Sequence, residues 1–217
     1  MAEPILIFGT SGSGKTTSLE KFGSKEILLF NTLGKRLPFR TKFDYVVNTD
    51  NVETIKSQLA KMPCKVAVID DAGYIMSNHF MREHSKVKGG SSQFDLYNSI
   101  ADEMYGLFMF IKKKLPDDVI VYIIFHEERN DDGGVKILTI GKLLDQKCNL
   151  AGMVTIAIHA MVRDNRHIFV TNSEGYDITK TPKGMFEMEI PNDLKMVDTT
   201  IREFWGMTPV EEKDATV

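Results

Sequence analysis

The sequence has little cysteine and no long hydrophobic run. Its two cysteines, Cys64 and Cys148, lie far apart and lack the spacing of a metal site, so we expect both to pack as small apolar side chains in a reducing compartment. The longest apolar run, residues 119–125, has the length of a strand and is too short to cross a bilayer. The first predicted strand begins almost at residue 1, so no secretory signal fits. These features predict a cytoplasmic protein with no membrane partner.

A strong net charge is also absent. The chain has 27 Lys and Arg residues against 30 Asp and Glu residues, a net charge of −3, which argues against a general polyanion binder. The charges are unevenly distributed: residues 187–217 hold eight acidic and three basic residues, and residues 34–42 hold four basic residues and no acidic one. We interpret both segments as solvated surface, and we predict that residues 187–217 form an acidic C-terminal extension of a core at residues 1–186.

The most informative segment is residues 9–16, Gly-Thr-Ser-Gly-Ser-Gly-Lys-Thr, which fits the phosphate-binding pattern G-x-x-x-x-G-K-[ST]. An apolar strand, residues 5–8, leads into it, and a helix-compatible run, residues 16–22, follows it. Glycines let the backbone curl so that N–H groups face phosphate oxygens, and a following helix adds its positive N-terminal dipole. The segment therefore predicts a P-loop that binds ATP with Mg²⁺.

The P-loop residues have separate chemical roles. Lys15 is predicted to place its charge at the β- and γ-phosphates, and the Thr16 hydroxyl is predicted to bind Mg²⁺. The residues predicted to contact the nucleotide are Gly9, Thr10, Ser11, Gly12, Ser13, Gly14, Lys15, Thr16 and Thr17.

Strand-like and helix-like segments alternate along the chain, which predicts an α/β fold with a mainly parallel central sheet flanked by helices. The predicted strands are 4–8, 27–31, 45–48, 65–71, 119–125, 135–140, 153–159 and 167–171. The predicted helices are 15–22, 52–62, 73–84, 94–115 and 143–150. Residues 86–92, which include two adjacent glycines, are predicted to be a flexible loop.

Two carboxylates follow the apolar run at residues 66–69. A buried parallel strand delivers such residues to its carboxyl edge, where ligands bind in open α/β sheets. Asp70 is predicted to hold Mg²⁺. Asp71 stands where many additional-strand P-loop ATPases have a glutamate that polarises the attacking water, so it is the first candidate for the catalytic base.

The apolar run at residues 119–125 ends in His126 and Glu127. His126 fits either of two interpretations: a sensor that contacts the γ-phosphate, or a histidine that only caps the end of a strand. Glu127 is a second candidate for the water-activating base, with Glu128 beside it.

Together these features resemble the compact RecA-like P-loop ATPases of bacteriophages, the small ATP-binding recombination proteins often encoded beside single-strand annealing proteins. The resemblance rests on the early P-loop, the strand ending in Asp70 and Asp71, the long helix, the strand ending in His126 and the late stretch at residues 180–186. It implies a RecA-like core over roughly residues 4–186 and, for a phage protein, location in the host cytoplasm.

The resemblance also implies partners. A late Lys- or Arg-containing loop in RecA-like proteins can reach the neighbouring subunit's nucleotide, and Lys180 and Lys183 are the matching positions, which implies a ring or filament of identical subunits. The loop at residues 82–92, with Arg82, Lys86 and Lys88, would contact single-stranded DNA, whereas the second such loop, residues 127–142, is too acidic to suit it. A single-strand annealing or single-strand-binding protein would be a further partner.

RecA-like proteins commonly carry a catalytic glutamate after the strand that follows the P-loop helix. Residues 30–34 contain no acid, so either Asp71 or Glu127 replaces that glutamate or hydrolysis is slow. The leading interpretation is an ATPase acting on single-stranded DNA in recombination or replication. The alternatives are a P-loop kinase of a small molecule and a nucleotide-dependent interaction module that does not hydrolyse ATP.

Overall fold

The computed structural model of the protein describes residues 1–87, 89–131, 133–140, 144, 148–173 and 175–208. These residues form strands and helices around one central sheet. The strands are β1 (Glu3–Gly9), β2 (Ile27–Asn31), β3 (Tyr45–Val47), β4 (Val66–Asp70), β5 (Ile120–Arg129), β6 (Val135–Ile137), β7 (Ile156–Arg163), β8 (Arg166–Val170) and β9 (Glu189–Pro191). The α-helices are α1 (Val52–Leu59), α2 (Gly73–Glu83), α3 (Ser91–Lys114) and α4 (Leu194–Trp205).

The order of strands across the sheet is β3, β2, β4, β5, β1, β7, β8 and β9, with β6 paired to the end of β5. Every pair from β3 to β7 is parallel, and β6, β8 and β9 join by antiparallel pairing. The prediction of an α/β fold with a mostly parallel sheet is therefore confirmed. Because the central strands are parallel, the segments that follow β1, β2, β4 and β5 all emerge at one edge of the sheet.

The core lies on both faces of this sheet. Side chains alternate along β1, so that Leu6 and Phe8 join the cluster under α1, α2 and α3, while Ile5 and Ile7 join the cluster under α4. The central strands are buried on both faces, which accounts for their near-continuous apolar sequences.

The predicted helix at residues 15–22 is wrong. The structure has a single turn of 3-10 helix there, Thr17–Leu19. The Ser18 hydroxyl donates to the carbonyl oxygen of Lys15 at 2.6 Å, and serine and threonine side chains that bond to nearby backbone compete with helix formation. A three-residue turn has only a small dipole. The structure therefore lacks, directly after the P-loop, the helix N-terminus that was expected to help bind phosphate.

Strand β5 is longer than predicted. Its predicted end was residue 125, but pairing of Glu127 to Arg129 with β6 extends it to Arg129. Half of the predicted helix at residues 143–150, namely 143 and 145–147, lies outside the described residues.

The end of the chain contributes two elements that the sequence did not predict. Strand β9 pairs with β8, and α4 buries Leu194, Val197 and Ile201 in the core. The described part of the segment predicted as an acidic extension, residues 187–208, is thus continuous with the central sheet and its core. Helix α4 also had sequence signals, since Asp193 caps its first turn and Gly206 ends it.

Candidate functional site

The P-loop, residues 9–16, connects β1 to the 3-10 turn at the carboxyl edge of the sheet. Lys15 is only 6% exposed, and its Nζ donates to the carbonyl oxygens of Gly9 at 2.8 Å and Thr10 at 2.6 Å. Within the described chain, the backbone N–H groups of residues 11, 12, 14, 15 and 16 donate to no other residue. The loop therefore offers a buried ammonium group and several unpaired N–H donors, a combination suited to an anion.

Two of the loop glycines are required by their surroundings. A Cβ at Gly9 would overlap the carbonyl oxygen of Ala160 on β7. Gly14 has φ +94°, and a Cβ there would lie 2.9 Å from both Asn192 Oδ1 and His167 Nδ1. The glycine positions of the motif thus allow close packing of the loop against β7, β8 and the segment before α4.

Asp70 ends β4 and contacts the last residue of the P-loop, Thr16. The Thr16 hydroxyl donates to its two carboxylate oxygens at 3.0 and 3.1 Å, and Asp70 is 4% exposed. Burial, together with the charge of Asp71, raises the pKa of Asp70 to about 6. The hydroxyl and the carboxylate are hard oxygen ligands, and these two residues would hold Mg²⁺. Among the described residues, no group of three or more His, Cys, Asp or Glu side chains is placed to hold a metal ion.

Asp71 follows β4 in the left-handed region, with φ 56°. Its Oδ1 lies 3.2 Å from His126 Nε2, and its Oδ2 forms an ion pair with Lys35. Burial alone would raise the pKa of Asp71, but the contacts with His126 and the charge of Lys35 outweigh it and lower this pKa to about 2. The structure thus brings Asp71 and His126 together, and it adds a cation that the sequence had not singled out for the site.

Lys35 reaches the site through the loop after β2. Neighbouring parallel strands end at the same edge, and Asn31 of β2 is level with Asp70 of β4. The basic run at residues 34–42 follows β2 directly. Its place after a strand that ends beside Asp70 was the sequence signal that could have placed Lys35 near the site. The expectation that this run is only solvated surface is incomplete, because Lys35 is half exposed and also pairs with Asp71.

Glu127 belongs to a second buried cluster at the same edge. Its Oε2 lies 2.7 Å from His159 Nε2, and the other ring nitrogen of His159 lies 3.2 Å from Asp177 Oδ2. The ring of His159 stacks on Phe8, the residue before the P-loop, with ring centroids 4.6 Å apart. Sequence analysis missed His159 and Asp177, because nothing local relates them to Glu127.

Lys180 and Lys183 do not meet these residues in the single chain. Lys180 pairs through its backbone with Ala157, which is level with Leu6 in the middle of β1 rather than at its end. Burial and the charge of Lys112 lower the pKa of Lys180. Lys183 is exposed. Their action on a neighbouring subunit stays a prediction.

The segment predicted to contact DNA has its described cations in ion pairs. Arg82 pairs with Asp50 at 2.6 Å, and Lys86 pairs with Glu83 at 2.7 Å. Lys88 lies outside the described residues.

None of the described helices is long and apolar enough to cross a membrane. Comparison with protein-family models gives no match to the chain, and comparison with curated protein sequences gives no significant match.

Proposed function

We propose that the protein binds ATP with Mg²⁺ at the P-loop and hydrolyses it, as a RecA-like P-loop ATPase. The observation that carries this proposal is the pair of hydrogen bonds from Thr16 to Asp70, residues 54 positions apart. They join the last residue of a phosphate-binding motif to the carboxylate at the end of a buried strand. A hydroxyl and a carboxylate together would hold Mg²⁺, which would neutralise charge on the phosphates of a bound nucleotide.

The strand order supports a RecA-like arrangement. Strand β5 lies between β1, which carries the P-loop, and β4, which carries Asp70. This strand is in the place that gives the additional-strand P-loop ATPases their name, and it ends in His126 beside Asp71. A polar residue there is well placed to detect the γ-phosphate.

In the proposed reaction the unpaired N–H groups of the loop would bind the phosphates, and Lys15 would move its ammonium group from the Gly9 and Thr10 carbonyls to phosphate oxygens. Burial lowers the pKa of Lys15, whereas the charges of Asp71, Asp70 and Glu127 raise it. A phosphate anion would further favour the charged form of this lysine.

The contacts of the two candidate bases favour Glu127 over Asp71. Asp71 has a partner at each oxygen and a pKa of about 2, which makes it a weak proton acceptor. The charge of Glu127 acts on Lys15, and His159 Nε2 lies 2.7 Å from Glu127 Oε2. Arg129 Nε lies 3.7 Å from Glu127 Oε1, which is too far for a hydrogen bond, so this oxygen can still accept one from water. We therefore propose that Glu127 activates the attacking water and that Asp71 fixes His126 and Lys35.

We also propose that the protein acts on single-stranded DNA. The main support for this partner is the resemblance to phage recombination ATPases. The exposed aromatic ring of Phe94 lies on α3 near the predicted contact loop. Unpaired bases stack on such rings.

A steady-state assay of phosphate release, with and without Mg²⁺ and single-stranded DNA, tests the proposal. Mg²⁺-dependent release would support an ATPase, and stimulation by DNA would support the DNA partner. Transfer of the phosphoryl group to a small-molecule acceptor would instead identify a kinase. Tight ATP binding without turnover would identify the interaction module.

A further inference from the structure

Hydrogen bonds in the loop after β2 hold Lys35 at the carboxyl edge of the sheet. The Asn31 side chain donates to the carbonyl oxygen of Lys35 at 2.7 Å, and the Lys35 N–H donates back to Asn31 Oδ1 at 3.2 Å. Thr32 Oγ1 lies 2.9 Å and 3.0 Å from the carbonyl oxygens of Asp70 and Asp71. The backbone of Lys35 is therefore fixed against the end of β4, and its position does not depend on its side chain alone.

Lys35 and Lys15 are part of one cluster of charged side chains, together with Asp70 and Asp71. Both ammonium groups interact with Asp70 and Asp71, and Lys35 lies near enough to repel Lys15. Two neighbouring cations are stabilised when an anion lies beside both. The Lys35 side chain is 57% exposed, and an ammonium group has three donors, so the ion pair with Asp71 leaves donors for a second anion.

The partners of Asp71 indicate which phosphate Lys35 would contact. In the proposed site Lys15 would bind the β- and γ-phosphates, and Asp70 with Thr16 would hold Mg²⁺. Asp71 pairs both with His126, which we propose detects the γ-phosphate, and with Lys35, so Lys35 would act on the same side of the site.

We propose that Lys35 is a second phosphate-binding cation, supplied by the same chain, that contacts the γ-phosphoryl group from the side of Asp71. The inference rests on the proposed ATP binding at the P-loop. It gives the site, within one subunit, a cation of the kind that the resemblance assigns to Lys180 and Lys183 of a neighbour.

The test compares the affinities of wild type and Lys35→Ala for Mg²⁺ with ADP and for Mg²⁺ with a non-hydrolysable ATP analogue, by calorimetry. Loss of a charge-assisted contact should weaken the ATP analogue about 10- to 100-fold and leave ADP nearly unchanged. The matched control is Lys65→Ala, because Lys65 precedes β4 at its other end and pairs with Asp118 at 2.7 Å. It should leave both affinities unchanged.

A double variant, Lys35→Ala with Asp71→Asn, separates direct contact from charge neutralisation. If Lys35 contacts phosphate, the double variant stays weak toward the ATP analogue. Full recovery would mean that Lys35 only neutralises Asp71 and would overturn the inference, as would equal losses for ADP and the ATP analogue in Lys35→Ala. Wild type that binds neither nucleotide would instead reject the proposed function.

Discussion

The Thr16 hydroxyl lies 3.0 and 3.1 Å from the two carboxylate oxygens of Asp70. Thr16 lies in the segment that follows β1, and Asp70 is the last residue of β4. Strand β5 lies between these two strands in the sheet. The contact therefore depends on the packing of three adjacent strands. No local segment of the chain could form it alone.

Lys15→Ala should weaken the binding of Mg²⁺ and ATP by on the order of 2–4 kcal/mol, because it removes a buried cation at the proposed phosphate site. Equilibrium titration with a fluorescent ATP analogue measures the loss. Lys21→Ala is the control: Lys21 is six residues further along and exposed, and it pairs with Asp193 at 2.8 Å. Equal affinities of Lys15→Ala and wild type would refute the P-loop assignment.

Asp70→Asn should keep nucleotide binding and lose Mg²⁺-dependent turnover, because an amide is a weaker ligand for a hard cation than a carboxylate. Phosphate release across a Mg²⁺ titration measures this. Asp118→Asn, which alters the ion pair with Lys65 near the start of β5, should behave as wild type. Normal turnover in Asp70→Asn would remove Asp70 from the metal site.

Asp71 should make the nucleotide-free protein sensitive to acid. Its pKa is about 2 in the folded protein against an ordinary 3.8, so the folded state binds fewer protons than the unfolded state between these values. The stabilisation is complete above pH 3.8 and is lost as the pH falls through about 2. Allowing for solvent screening, the loss should be about 1–2 kcal/mol.

Urea unfolding of wild type and Asp71→Asn from pH 5 to pH 2 measures the contribution of Asp71 to the free energy of unfolding. The difference between their free energies of unfolding should shrink over that range. A constant difference would mean that the ion pair and the contact with His126 do not hold Asp71 ionised.

The parts of the site that a motif or a strand end defines could be predicted from sequence. Lys15 and Thr16 come from a fixed spacing, and Asp70 and His126 come from apolar runs that end at one edge of a parallel sheet. At residues 15–22 the structure has only the 3-10 turn Thr17–Leu19, and the segment begins with Thr16, Thr17 and Ser18, which are weak helix formers.

The ion pair of Lys35 with Asp71 and the second buried cluster depend on contacts between distant segments, so the sequence could indicate at most the edge of the sheet at which Lys35 lies. Lys35 is placed by a loop that packs on the carbonyl groups of Asp70 and Asp71. His159 is 32 residues from Glu127 and 18 residues from Asp177. Neither a periodic pattern nor a short motif relates residues at such separations.

Glu127→Gln should abolish turnover and leave bound ATP in place, whereas Asp71→Asn should slow turnover less, because Glu127 is proposed as the base. Single-turnover hydrolysis measures both. His159→Gln should lower the rate of the chemical step with little change in ATP affinity, since His159 contacts Glu127 and would not contact the nucleotide. Loss of turnover in Asp71→Asn with a normal rate in Glu127→Gln would reverse the ranking.

Finally, assembly and the two sources of cation can be tested together by mixing inactive variants. If Lys183 acts on a neighbouring subunit, Lys183→Ala protein mixed with Lys15→Ala protein should regain turnover, because each subunit supplies what the other lacks. Lys35→Ala mixed with Lys15→Ala should regain none, since Lys15 and Lys35 must come from the same chain to serve one phosphate site.

The specific activity of wild type should also rise with protein concentration if subunits complete each other's sites. Activity of wild type that is independent of concentration, with full activity in Lys180→Ala/Lys183→Ala, would show that the cation from the same chain suffices.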